Sequence, residues 1–133
     1  MIHSADEFVM LRSSDDPTEY LRAARDAAPL EVWQAVIRDY PGMRCWVAQN
    51  KTVPLAVLEV LADDPDEDVR AAVAMKNKLT PELLARLAAD ISDSVRERIA
   101  YNRNTPSELL LSLASDRCSL VADAARSRLK ECR

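Results

Sequence analysis

The feature that most limits what this chain can fold into is a unit that returns every 26 residues. Val69, Val95 and Val121 keep that spacing, as do Val73, Ile99 and Ala125, and the series reaches back to Met43 and Val47. A second series runs through Leu58, Leu84 and Leu110, accompanied by Leu61, Leu87 and Leu113. The members of each pair stand three or four positions apart, so each pair lies on one helical face. The clearest copy is the stretch 63–74, whose counterparts begin at Asp15, Asp90 and Asp116. A period of this length implies supersecondary units that cannot bury their apolar faces alone and must stack on their neighbours.

The units are helical. Aromatic residues make up 5% of the chain and there is one glycine, Gly42, whereas a sheet protein needs more β-branched and aromatic residues and more turn glycine. All seven prolines (17, 29, 41, 54, 65, 81 and 106) precede amphipathic runs, as suits the first turn of a helix, where the missing N–H has no partner to lose. Asp16, Asp64, Thr80 and Thr105 read as caps, and Glu19, Glu67 and Glu108 stand three residues after Asp16, Asp64 and Thr105, as in capping boxes.

Two helix types alternate. A helices carry the leucine pairs; B helices carry the Val/Ile pairs, with the small residues Ala48, Ala74 and Ala100 alongside. An early, divergent A helix runs from Pro29 with Trp33 near the Leu58 position. Residues 6–12, with Phe8, Val9 and Leu11, read as an unpartnered A helix that caps the N-terminus. Arg126, Arg128, Lys130 and Arg133 make the last B helix polar. The expectation is one all-α domain over residues 1–133, a right-handed α-solenoid of four to five short helix pairs. Stability would come from apolar stripes buried between successive repeats.

The run Val69-Arg70-Ala71-Ala72-Val73-Ala74, followed by Thr80-Pro81 and on to Asp90, resembles the HEAT-like and leucine-rich-repeat-variant helical repeats. Val95-Arg96-Glu97-Arg98-Ile99-Ala100, with Thr105-Pro106 through to Asp116, is a second copy. The resemblance covers most of the chain, strongly from 43 to 121. It implies a binding scaffold whose B helices line a concave face, and it specifies function poorly. Some leucine-rich-repeat-variant proteins carry an iron–sulfur cluster on a cysteine-rich segment, which has no counterpart here. A HEAT-like family that acts on alkylated DNA implies a basic channel and a carboxylate among aromatic residues, a poor match.

Little in the sequence points to catalysis or a cofactor. His3 is the sole histidine, which leaves Ser-His-Asp, Cys-His and His-metal arrangements without support, and one glycine excludes a glycine-rich phosphate loop. Cys45, Cys118 and Cys132 lack a CxxC spacing; Cys45 and Cys118 read as small apolar helix residues and Cys132 as part of a tail. The carboxylates at 63–68 lack the glycine and distal glutamate of a calcium loop, and read as helix capping. With no long apolar run and an acidic N-terminus, the expected setting is the cytoplasm.

Arg22, Arg44, Arg70 and Arg96 form a ladder beside the buried stripe and are expected to bond the Asp or carbonyl ends of adjacent repeats. Function is expected where the copies disagree: Trp46 and Arg98, then Gln49, Met75 and Tyr101, then Asn50, Lys76 and Asn102. Trp, Tyr, Arg and Met are enriched at protein interfaces. The chain is therefore expected to be a monomeric, non-enzymatic protein-interaction module that meets its partner with these residues. One concrete version is a bacterial immunity or antitoxin-type inhibitor. The alternative is nucleic-acid binding through a basic rim of Lys51, Lys76, Lys78, Arg98 and Arg103, which a net charge of −4 disfavours; a DNA-repair enzyme ranks last.

Overall fold

The computed structural model describes residues 1–131, and among these it contains ten α-helices, one 3-10 turn and no strand. The expected A helices are α1 (Ala5–Arg12), α3 (Leu30–Asp39), α5 (Leu55–Leu61), α7 (Pro81–Ala88) and α9 (Ser107–Leu113). The expected B helices are α2 (Pro17–Arg25), α4 (Arg44–Gln49), α6 (Glu67–Ala74), α8 (Asp93–Tyr101) and α10 (Ser119–Glu131). The chain divides into two compact units, Met1–Asp63 and Asp64–Arg133.

In the first unit α1 packs on α3 and α3 on α5, while α2 packs on α4, so like helices lie against like. Trp33 fills the interior with no exposure and meets Phe8 edge to face, ring centroids 5.4 Å apart. In the second unit α6 packs on α8 and α8 on α10, with α7 against α9. Val69, Val73, Val95, Ile99, Val121 and Ala125 are all buried, as are the six repeated leucines. Each fully buried Val, Leu or Ile contributes about 1.5–3 kcal/mol of transfer free energy, which is what holds helices of seven to nine residues such as α6, α8 and α9.

The helix starts follow the prolines with adjustments. Asp16 caps α2 by accepting from the Thr18 N–H, and Thr80 caps α7 by accepting from Leu83. Asp64 and Thr105 are not caps. Asp66 caps α6, and Asp64 instead accepts from the Asp66 N–H at 2.9 Å, shaping the turn before it. Pro106 holds the cap position of α9, and the Thr105 hydroxyl donates to the Ile99 carbonyl at 2.6 Å. Glu19 takes the Ser14 hydroxyl at 3.1 Å. Reciprocal capping occurs instead at α1, where Ser4 accepts from the Glu7 N–H while Glu7 accepts from the His3 N–H. Cys118 lies in the turn before α10 and donates its N–H to Asp116, and Cys132 lies outside the described residues.

Two kinds of latch recur in this scaffold. Asp64, Asp90 and Asp116, spaced by 26, each accept from the N–H two residues on. Asp90 and Asp116 also receive the guanidinium of the preceding B helix: Arg70 reaches Asp90 at 2.9 and 3.2 Å, and Arg96 reaches Asp116 at 2.8 and 3.1 Å. The remaining Arg nitrogen bonds the carbonyls of Asp64 and Pro65, or of Asp90 and Ile91. This supports the structural reading of the ladder at Arg70 and Arg96. Arg44 donates to the Ile37 carbonyl, and Arg22 pairs with Asp26 inside its own turn of chain.

The second latch closes the B helices. Helices commonly end on a glycine or asparagine with positive φ, but no described residue has one. Asn50 and Asn102 leave α4 and α8 in extended conformation instead. The Asn102 amide donates to the carbonyls of Ala74 and Lys76 at 2.9 and 2.8 Å, while its oxygen accepts from the Asn104 N–H. Asn50 does the same toward Ala23, Asp26 and the Thr52 N–H. In both cases the amide satisfies carbonyls that the end of the previous B helix leaves without an intrahelical donor. At the next register Arg128 takes over, donating to Ala100 and Asn102.

Candidate functional site

The positions where the copies differ fall into two groups. Asn50 and Asn102 were expected at the surface, yet they are 0% and 6% exposed and their amides are used up inside the scaffold. They serve the fold, not a partner. Lys76 is half-buried, and its carbonyl receives the Asn102 amide. Trp46, Gln49, Met75, Arg98 and Tyr101 remain at the surface, with Trp46, Met75 and Tyr101 exposed to 37%, 58% and 61%.

In the second unit Met75, at the end of α6, and Arg98 and Tyr101, on α8, line one open cleft of about 310 Å³ with Asn77 and Arg103. The fold brings them together because Met75 follows the last turn of α6 while α8 packs on that helix, and Ile99 and Ala100 hold the opposite face of α8 in the core. Arg98 and Arg103 are exposed and have no carboxylate partner among the described residues. The cleft therefore offers an aromatic ring and a thioether between two cations.

In the first unit Trp46 and Gln49, one turn apart on α4, line a cleft of about 190 Å³ with Tyr20, Leu21, Ala23, Ala24 and Arg12. The Arg12 guanidinium carbon sits 3.6 Å from the centre of the Trp46 ring and 6.0 Å from that of Tyr20. Neither Arg12 nor Tyr20 was singled out from sequence. Arg12 lies in the helix that precedes the repeats, where periodicity assigns no role.

A wide depression of about 530 Å³ lies over the Arg96–Asp116 latch and is lined also by Ile91 and Arg117. Arg96 and Asp116 are committed to each other: the Arg96 hydrogen bond holds the Asp116 carboxyl below its ordinary value, and Asp116 in turn raises Arg96. Such a pair is not poised to exchange protons with a substrate. A fourth cavity, the groove between α3 and α5, is apolar, with Leu30, Ile37 and Val60 on its walls. Among the described residues no group of three or more His, Cys, Asp or Glu side chains is arranged to hold a metal ion, and no helix is long and apolar enough to cross a membrane.

Comparison with protein-family models, with curated proteins and with solved structures finds no match for this chain.

Proposed function

We propose that the chain is a non-enzymatic protein-binding module, built as a HEAT-like right-handed α-solenoid, that meets its partner with the outward side of its B helices. The observation that carries this reading is the contrast along α6 and α8. Their inward positions repeat almost without change as Val69, Val73, Val95 and Ile99, all buried, while their outward positions place Met75, Arg98 and Tyr101 around one cleft. Buried positions are constrained by packing; exposed Tyr, Met and Arg clustered in a cleft are the composition of an interface centre. The helical-repeat reading is supported by the latches of Asp64, Asp90 and Asp116 at 26-residue spacing and by the like-on-like packing within each unit. One form that fits is an inhibitor that covers a partner's active site.

The test is affinity capture from the native host with the wild-type chain and with a Trp46→Ala/Tyr101→Ala variant, one change in each unit. Tyr101 is 61% exposed and Trp46 37%, so the variant is expected to keep the wild-type circular dichroism spectrum, with a lower unfolding midpoint from the lost Trp46 contacts. A stoichiometric partner retained by the wild type and lost by the folded variant supports the reading. Equal retention by both removes it. Capture of nucleic acid instead, released by raising the salt concentration, would replace the protein partner with a polyanion.

A further inference from the structure

We infer that the cleft of the first unit is a receptor for a single carboxylate, supplied by an Asp or Glu side chain of a protein partner. The inference rests on the reading of the B-helix side as a partner surface and names the chemistry that one part of it recognises. Arg12 is the centre of the argument. Its guanidinium is stacked on Trp46 at 3.6 Å, which leaves the terminal NH2 groups at the end of the group for hydrogen bonds in its plane. No acceptor for any of those donors exists among the described residues, and the Nε atom is shut off from solvent without one. Every arginine of the ladder, by contrast, has found a carboxylate or carbonyl: Arg22 has Asp26, Arg44 has Ile37, Arg70 has Asp90 and Arg96 has Asp116. Arg12 is held by an aromatic face instead, and so stays an unneutralised cation in a cleft.

The occupant follows from charge, shape and size. A guanidinium edge matches a carboxylate with two parallel hydrogen bonds. Tyr20, Leu21 and Trp46 offer rings and an aliphatic surface to the methylene stem of an acidic side chain, and Gln49 adds an amide at the same wall. A volume of about 190 Å³ is below the roughly 300–1,000 Å³ typical of cofactor and small-molecule pockets, and suits one side chain. A phosphate backbone is the weaker candidate. Among the described residues one arginine is the only cation lining the cleft, and the chain carries a net charge of −4, whereas polyanion binding draws on several cations in a row.

The probes are two capped peptides, acetyl-Gly-Glu-Gly-amide and acetyl-Gly-Gln-Gly-amide, and inorganic phosphate. The readouts are the Trp46 indole N–H and Arg12 Nε–H signals in nitrogen-edited NMR spectra of the full chain, with the indole assigned by its absence from Trp46→Phe. Saturable shifts of both signals are expected with the glutamate peptide, with dissociation constants at least about tenfold weaker for the glutamine peptide and for phosphate. An Arg12→Gln chain with an otherwise unchanged spectrum is expected to lose the glutamate response. Equal binding of the two peptides to the wild type overturns the inference without any variant. So does an undiminished response of Arg12→Gln, and so does phosphate binding more tightly than the peptide. Failure of the peptide, with a host partner still lost by the Trp46→Ala/Tyr101→Ala variant, removes the carboxylate receptor and leaves the partner surface standing. Retention of the host partner by that variant removes the surface, whatever the peptide does.

Discussion

Substituting Asp116 by Asn cuts one end of a buried ion pair and probes how the second unit is held together. The two side chains are 5% and 10% exposed, and the guanidinium reaches both carboxylate oxygens at 2.8 and 3.1 Å. The other guanidinium nitrogen is already committed to the carbonyls of Asp90 and Ile91 at 2.7 and 3.2 Å. Asn keeps an oxygen for the Cys118 N–H, so the turn survives, but the buried Arg96 then faces a neutral amide on that side and keeps only the exposed Asp93 as a carboxylate partner. Breaking one side of a buried pair costs about 3–5 kcal/mol where the surviving ion is left unpaired, and because Arg96 keeps the Asp93 carboxylate the expected cost sits at or below the low end, about 2–3 kcal/mol. The control is Asp123→Asn, which removes a pair 71% and 60% exposed at 3.7 Å and is expected to cost less than about 1 kcal/mol. Against a total stability of about 5–15 kcal/mol the difference is easily measured by urea unfolding followed by circular dichroism. Arg96→Met with Asp116→Leu is expected to recover part of the loss, since no charge is left behind. It does not recover the part owed to the Asp90 and Ile91 carbonyls, which lose their donor, nor that owed to the Cys118 N–H, which loses its acceptor. A cost for Asp116→Asn no larger than that of Asp123→Asn would refute the latch.

Other consequences follow from the same scaffold. Asp116 is held below its ordinary value of 3.8 chiefly by the Arg96 hydrogen bond, and Asp26 chiefly by that of Arg22. A folded-state pKa below the unfolded one gives stabilisation that is complete above the ordinary value and lost as pH falls from there through the folded value. Urea midpoints are therefore expected to drop below about pH 4, and Asp116→Asn is expected to drop less over that range than wild type. Asn102→Ala leaves the carbonyls of Ala74 and Lys76 without their donor and is expected to cost about 1–3 kcal/mol; Gln49→Ala, at the surface, is expected to stay within about 0.5 kcal/mol in the same unfolding assay. Ile99→Ala empties a fully buried site and is expected to cost about 2–5 kcal/mol, while Met75→Ala, 58% exposed, is expected to cost about 0.5 kcal/mol or less in the same measurement.

The helix pattern was legible because burial is a periodic constraint. Any residue at the position of Val73 or Leu84 must be apolar, so the period survives in the letters themselves. The Asn latch was not legible for the opposite reason. Asn50, Lys76, Asn102 and Arg128 occupy one register with different chemistry, which resembles free surface variation. Yet Asn102 and Arg128 do the same work by different means, each donating to the carbonyls at the end of the helix before it. The shift of the α6 cap from Asp64 to Asp66 has a similar origin. An Asp two residues before another Asp can serve the turn or the helix, and only the geometry separates the roles. Tyr20 and Arg12 joined Trp46 through packing of α1 and α2, which lie outside the well-kept repeats. Sequence reasoning found Trp46 because it interrupts a regular series; nothing in the series pointed to the cation stacked on it.

Hydrogen–deuterium exchange on the complex captured from the host tests the central claim most directly, since it compares the two kinds of apolar surface in one experiment. The account predicts that partner binding slows exchange at the C-terminal turns of α4, α6 and α8, around Trp46, Met75 and Tyr101, and leaves α3 and α5 unchanged. Protection confined to the groove of Leu30, Ile37 and Val60 between α3 and α5, with the B helices exchanging as in the free chain, would contradict it.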